Sequence, residues 1–292
     1  MSAIITDEKK EEIRKQLQDY VGRFTSQNRA AESLNGVSAG TLSQILACKD
    51  SAISDAMWRK IQIQTGGRSS DWQYTETTAY TEISYALDDA QNYQNVTWVV
   101  GSAGCGKSKT AQLYASSHRN VFVILCSEDM RKSDFIREIA RSVGLRTDDM
   151  RLRDSLSATI RGLTQMSSPL LVFDEADKLS DPVFAYFINL YNHLEDECGI
   201  VFLSTSYIQR RMDLGLRYNK RGYAEMDSRI GRKFFEISSN CANDIYALCN
   251  TNGVIERSQI AEVLKDVEHY DFDLRRAKRS IHMVKRMKQA EK

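Results

Sequence analysis

The sequence predicts an α/β fold: a parallel sheet covered on both faces by helices, with one helical unit before it and another after it. Three observations carry this. Five short apolar runs have the length and character of strands buried on both faces: VTWVVGS (96–102), NVFVILC (120–126), PLLVFDE (169–175), GIVFLST (199–205) and KFFEIS (233–238). Amphipathic stretches separate the first four of them, at Ser108–Ser117, Ser133–Val143, Arg153–Leu163 and Pro182–Leu194, and that alternation is the pattern of crossover helices over a parallel sheet. The first run also enters its helix through a glycine-rich loop, the junction at which such sheets bind phosphate.

Composition sets the outer limits. The 292 residues are 42% hydrophobic and 27% charged, ordinary for a chain of about two globular domains. Lys and Arg number 40 against 39 Asp and Glu, a net charge of +1, which excludes a uniformly basic nucleic-acid coat but not a local basic face. The two prolines, Pro169 and Pro182, point to long uninterrupted elements. No apolar run reaches the ~18 residues of a membrane span, and Met1–Glu12 is polar, without a signal-peptide core. The six cysteines form no C-x-x-C pair and the four histidines are scattered, so zinc is not expected. The thiols look like those of a reducing, intracellular protein, with Cys126 and Cys198 read as small buried hydrophobes.

The elements follow in chain order. Glu11–Phe24 spaces Ile13, Leu17, Tyr20, Val21 and Phe24 as a helix. In Ser26–Lys49, Ala30, Ala31 and Leu34 form a short apolar face, Gly36 permits a tight turn, and Ser38 can cap a second helix carrying Leu42, Ile45 and Leu46. Two short helices about a glycine turn make a helix-turn-helix, here with one residue more than usual between Ala31 and Gly36. Thr65–Asp71 (TGGRSSD) reads as a linker, and Tyr80–Gln91 as a helix leading into the sheet. After the last strand, Ala242–Cys249, Ser258–Val267 and Phe272–Lys288 read as a helical tail.

The chemistry concentrates in two motifs. Gly101, Ser102, Ala103, Gly104, Cys105, Gly106, Lys107 and Ser108 satisfy G-x-x-x-x-G-K-[ST] between a strand and a helix, with Lys109 following. Small residues let backbone N–H groups wrap the phosphates of ATP; Lys107 would reach the β- and γ-phosphates and Ser108 would ligate Mg²⁺. In LLVFDEAD (170–177), four apolar residues place Asp174 at the carboxyl end of a strand, where it would hold Mg²⁺, and Glu175 would orient and deprotonate water. Because NVFVILC intervenes between the two motifs, the sheet leaves room for GIVFLST between their strands. That would bring Ser204, Thr205 and Ser206 near the γ-phosphate, where a hydroxyl could bond the attacking water or sense the phosphate.

With SRIGR (228–232) before KFFEIS and DLRRA (273–277) in the tail, these motifs resemble those of AAA+ ATPases. Joined to an N-terminal helix-turn-helix, and with runs such as SAGTLSQIL and LLVFDEADKL, the chain resembles the Mu B group of transposition ATPases, which select target DNA and stimulate a transposase. The resemblance implies an AAA+ P-loop NTPase with a five-stranded parallel sheet, a small C-terminal helical lid and an N-terminal helix-turn-helix domain. The implied boundaries are 1–64 for the helix-turn-helix domain, 65–79 for the linker, 80–238 for the ATPase core and 239–292 for the lid. It also implies Thr205 as first sensor where many relatives have Asn, Arg275 as second sensor, and Arg229 as an arginine finger offered to a neighbouring subunit, with Arg232 the competing candidate.

Net neutrality hides local skews. Residues 275–292 carry a charge of +7, which could neutralise DNA phosphates or serve as a solvated face shared with nucleotide sensing. Arg210, Arg211, Arg217, Lys220 and Arg221 form a second cluster, expected near a subunit boundary. Two polar loops, 127–133 and 146–154, carry Arg131, Lys132, Arg146, Arg151 and Arg153. The family places DNA-tracking loops there, and cations at such sites would grip the backbone without reading sequence. The implied function is an ATP-dependent, largely sequence-nonspecific binder of double-stranded DNA that acts with a transposase. A finger in trans demands a head-to-tail homo-oligomer, either filament or ring. A helicase-loading ATPase and an ATP-switched helix-turn-helix regulator are the alternatives.

Overall fold

The computed structural model describes residues 7–290 apart from 23, 25, 35, 51–52 and 66–71, so residues 66–71 of the expected linker lie outside the described residues. The chain divides into two compact units, Met1–Gln73 and Tyr74–Lys292.

In the first unit, α1 (Asp7–Val21), α2 (Gln27–Ser33), α3 (Ala39–Leu46) and α4 (Asp55–Thr65) close around Ile13, Leu17, Ala30, Leu42, Ile45, Trp58 and Ile61. Ser26 Oγ accepts from Arg29 N and Ser38 Oγ from Thr41 N, so each short helix starts on a hydroxyl cap. Gly36 takes φ +65°, the left-handed conformation that favours glycine in the turn before α3. α4 was not singled out in the sequence, yet its Trp58 and Ile61 finish this core. Arg14 bridges α1 to the end of α3, donating from Nε to Ile45 O (2.9 Å) and from Nη2 to Asp50 Oδ2 (2.6 Å).

The second unit is built on a five-stranded parallel sheet in the order β2–β3–β4–β1–β5, comprising β1 (Val96–Val100), β2 (Val121–Leu125), β3 (Leu170–Asp174), β4 (Gly199–Ser204) and β5 (Phe235–Glu236). β4 does lie between β1 and β3, as the intervening strand required. β5 is shorter than KFFEIS suggested, because only Phe235 and Glu236 pair, with Val99 and Val100.

Alternation along the strands divides the core in two. Trp98, Leu171, Phe173, Ile200 and Phe202 face α7 (Lys132–Ser142), α8 (Leu152–Thr164) and α9 (Asp181–Leu194). Val99, Leu170, Val172, Val201 and Leu203 face α5 (Thr78–Tyr93) and α6 (Lys107–Ser117). The first layer is aromatic: Trp98 stacks on Phe202 at 4.4 Å and Phe173 on Phe202 at 5.2 Å, a rigid floor under the ends of β1, β3 and β4. At the start of β4, Gly199 meets the backbone of Ala90, an approach that only a residue without a side chain permits.

Two helices went unread in the sequence, α10 (Tyr207–Arg217) and α11 (Tyr223–Arg229). They follow β4 directly and hold the basic cluster on a rigid frame. The tail is helical as expected, in α12 (Ala242–Thr251), α13 (Arg257–Glu268) and α14 (Leu274–Ala290). No helix among the described residues is long and apolar enough to cross a membrane.

Candidate nucleotide site

The carboxyl ends of β1, β3 and β4 meet at one edge of the sheet. β1 ends at Val100 beside Ser204, and Gly101 N donates to Ser204 O (3.2 Å), which fixes where the glycine loop begins. Gly104 (φ +79°) and Gly106 (φ +114°) take backbone angles that favour glycine, and α6 starts at Lys107. Lys107 Nζ donates to Gly101 O (2.8 Å) and Ser102 O (2.9 Å), so the ammonium lies within the loop it would serve. Lys109, grouped with the loop from sequence, sets its ammonium 4.4 Å from the Tyr74 ring centre.

Asp174, at the end of β3, is buried, and burial pushes its carboxyl up. A hydrogen bond from Ser108 and one from Glu175 N (3.0 Å) oppose that rise, as does the charge of Lys107. A buried carboxylate short of positive charge, already joined to a hydroxyl of the phosphate loop, fits a divalent cation. Asp174 and Ser108 are the residues that would hold Mg²⁺.

Glu175 sits at φ +55°, an uncommon conformation for a residue with a side chain, and one that terminates the strand and turns the chain into a 3₁₀ turn at Ala176–Lys178. Its Oε2 accepts from Lys178 Nζ at 2.6 Å. Thr205, just past β4, donates to Asp177 Oδ2 (2.9 Å), which commits its single proton and leaves its lone pairs to accept. Ser204 drops out of the sensing candidates: it is buried, accepting from Trp98 Nε1 (2.7 Å) and donating to Thr205 O (3.1 Å). Each residue of the run from Asp174 to Lys178 except Ala176 thus has a named polar partner. Asp177 and Lys178 stood within quoted motifs, but their pairings are tertiary or set by the turn and had no signal in the spacing.

The tail meets the loop. Leu274 N donates to Gly104 O (3.1 Å), Asn240 Nδ2 donates to Cys105 O (3.2 Å), and the Asp273 carboxylate lies where a Cβ on Gly104 would project. Asp273 caps α14 by accepting from the backbone N–H groups of Arg275 and Arg276. Arg275 is exposed in the first turn of that helix, one residue beyond the contact with Gly104. Gly104→Ala is therefore expected to cost about 1–3 kcal/mol of backbone strain and to push Asp273 off the loop. ATP affinity should fall in equilibrium binding while far-ultraviolet circular dichroism keeps its helical signal.

Arg229, the last residue of α11, bonds Asn192 Oδ1 (2.7 Å) and Glu225 O (3.0 Å), with its guanidinium 5.2 Å from the Tyr191 ring centre. Asn192 lies about 16 Å along α9 from Asp181. The start of α9 is tied to the site, because Arg211 donates both to Asp177 O (2.9 Å) and to Asp181 Oδ1 (2.7 Å). Arg229 is thus set apart from the phosphate loop of its own chain. Arg232 is exposed at φ +57° in the turn that follows.

The basic loops gather at the same edge of the sheet. Arg131 and Lys132 begin α7. The segment after α7 climbs back beside α8, with Leu145 against Gly162 and Ser155 Oγ donating to Thr147 O (3.4 Å). α7 and α8 therefore run in the same direction, and Arg151 and Arg153 begin α8 at the end where Arg131 and Lys132 begin α7; Arg146 lies on the climbing segment. Arg211, counted among the surface cations in the sequence, is instead largely covered between Phe184, Tyr223 and Asp181. Burial pushes the Asp181 carboxyl up, but hydrogen bonds from Tyr223 and Arg211 outweigh it and hold Asp181 below the ordinary range.

Comparison with known proteins agrees with this geometry. Residues 89–212 match the family described as AAA domain, and the fold is the AAA+ P-loop fold. It is similar to the Mu-like prophage FluMu DNA transposition protein B of Haemophilus influenzae, 27% identical over 205 residues that make up 69% of each chain. It is also similar to the ATP-dependent target DNA activator B of Escherichia phage Mu, at 22% over 206 residues, 68% of this chain and 64% of that one. The chain thus spans just under two thirds of the phage Mu protein it matches. Among solved structures, the Aeropyrum pernix Orc1 protein in complex with DNA superposes with a TM-score of 0.52 at 17% identity, over 72% of this chain and 60% of that one.

Proposed function

We propose that the chain is an ATP-dependent, largely sequence-nonspecific DNA-binding ATPase that delivers target DNA to a transposase and stimulates it. The observation that carries this reading is the single sheet edge on which Lys107, Ser108, Asp174, Glu175 and Thr205 converge with the exposed cations at the starts of α7 and α8. Similarity to a protein named as an ATP-dependent target DNA activator supports the choice of DNA and of transposition. Lys107 would give up its two carbonyl partners to the β- and γ-phosphates, and Mg²⁺, held by Ser108 and Asp174, would neutralise developing charge. Glu175 would orient and deprotonate water, and Arg275 would report the phosphate to the tail. Subunits would assemble head to tail on the duplex, with Arg229 facing a neighbour.

Lys107→Ala tests the link between nucleotide and DNA. Losing a charge-assisted contact worth about 1.5–3 kcal/mol should weaken ATP binding about 10- to 100-fold. Retention of duplex DNA in the presence of ATP should fall with it. Undiminished DNA retention with ATP binding lost would overturn the ATP-dependent reading.

A further inference from the structure

The structure brings together two basic clusters that the sequence keeps almost ninety residues apart. Between the start of α7, the first turns of α9 and the turn joining α10 to α11 lies a cleft of about 550 Å³ whose lining includes Lys132, Asp181, Tyr186, Asn189, Lys220 and Arg221. We propose that this cleft seats a backbone phosphodiester of duplex DNA, gripped by Lys132, Lys220 and Arg221. The inference rests on the DNA-binding reading above and extends it to residues outside the two basic loops.

Four features carry it. Three cations from two separate stretches of chain project to one cleft, and all three are exposed. The carboxylate in the wall, Asp181, is already engaged: it accepts from Arg211 (2.7 Å) and Tyr223 Oη (2.7 Å), with Lys220 Nζ at 3.4 Å. Arg221 makes no hydrogen bond or ion pair among the described residues, so its guanidinium fork is available for an oxyanion. The turn that presents it is held firmly, because Gly222 (φ +90°) packs on Ala185 and Tyr223 is buried beneath it.

The remaining lining suits the same ligand. Lys132 Nζ lies 5.8 Å from the Tyr186 ring centre, which leaves its ammonium solvated on one side, and Asn189 supplies a neutral amide. A diester carries one negative charge, whereas a terminal phosphate carries nearly two and would meet more repulsion from Asp181. Arg131, Arg151 and Arg153 stand at the same sheet edge, so the cleft would be one seat along a longer polyanion track rather than an isolated ion site.

The test uses the full chain with ATP and a fluorescent duplex, measuring affinity across a salt series for wild type, the K220A/R221A double variant and the charge-conserving K220R/R221K. Seating one phosphate contributes about 0.9 to the slope of log affinity against log salt, so the double alanine variant should lose about one unit of slope and the conservative variant should recover it. ATP binding should be unchanged in both, which shows that the sheet edge still folds. Wild-type binding with an unaltered slope in K220A/R221A overturns the cleft and leaves the DNA reading standing. No duplex binding by wild type overturns the DNA reading itself. An unaltered DNA slope with loss of poly-glutamate binding in K220A/R221A would reassign the cleft to an acidic protein segment and likewise overturn the proposal.

Discussion

Glu175→Gln is expected to keep ATP binding near the wild-type level and to slow hydrolysis by about 10²–10⁴, the usual contribution of a positioned general base. The amide has nearly the same shape as the carboxylate but cannot take a proton from water. Its location supports the assignment. Glu175 follows the buried Asp174, which is hydrogen-bonded to Ser108 of the phosphate loop, and its backbone angle of φ +55° ends β3 at that point. The carboxylate is tethered by Lys178 rather than buried, so it stays within reach of solvent. Since the ATP-bound state would persist in the variant, its complexes with DNA should also dissociate more slowly. Single-turnover phosphate release and DNA dissociation rates check both points; hydrolysis at the wild-type rate would move the base to another residue.

The sheet and the phosphate loop were legible because their signals are local. Strands β1 to β4 are short, mostly apolar runs of five or six residues, and the place of β4 between β1 and β3 follows from NVFVILC lying between the two motifs. Helix α10 escaped notice because of its arginines. In α10, YIQRRMDLGLR, the buried face consists of Ile208, Met212 and Gly215, and the arginines between them made the stretch read as surface charge. Reading its helical phase would have separated Arg211, which points inward to Asp177 and Asp181, from Arg210 on the outer side. The pairings that organise the site were invisible for another reason. Thr205 with Asp177, Asp273 against Gly104 and Asn240 with Cys105 join residues far apart in the chain, and no spacing rule records them. Ser204 illustrates the converse: its neighbours in sequence suggested chemistry, but Trp98 across β1 claims its oxygen.

Arg229→Ala is expected to leave folding and ATP binding of the isolated chain intact and to lower ATPase turnover of the assembled protein by about 10³–10⁵, the range for an arginine that stabilises transition-state charge. Its contacts motivate the direction. The guanidinium is held by Asn192 and Glu225 O beside Tyr191, toward the far end of α9 from Asp181. About 16 Å of helix separates that anchor from the start of α9, more than an arginine side chain spans, and that separation motivates a role toward a neighbouring subunit's phosphate. Exchanging the present partners for a γ-phosphate would make the nucleotide part of the interface, and ATP would then promote contact between neighbours. A mixing experiment separates donor from recipient. The Arg229→Ala chain, inactive alone, keeps an intact phosphate loop; the Lys107→Ala chain cannot bind ATP well but keeps its arginine. Combined on DNA, the two should recover part of the wild-type ATPase rate, with a maximum at intermediate ratios. Full activity of Arg229→Ala alone would transfer the role to Arg232, exposed in the next turn. Two inactive variants with no recovery at any ratio would mean that the guanidinium acts on its own chain's fold and not on a neighbour's phosphate.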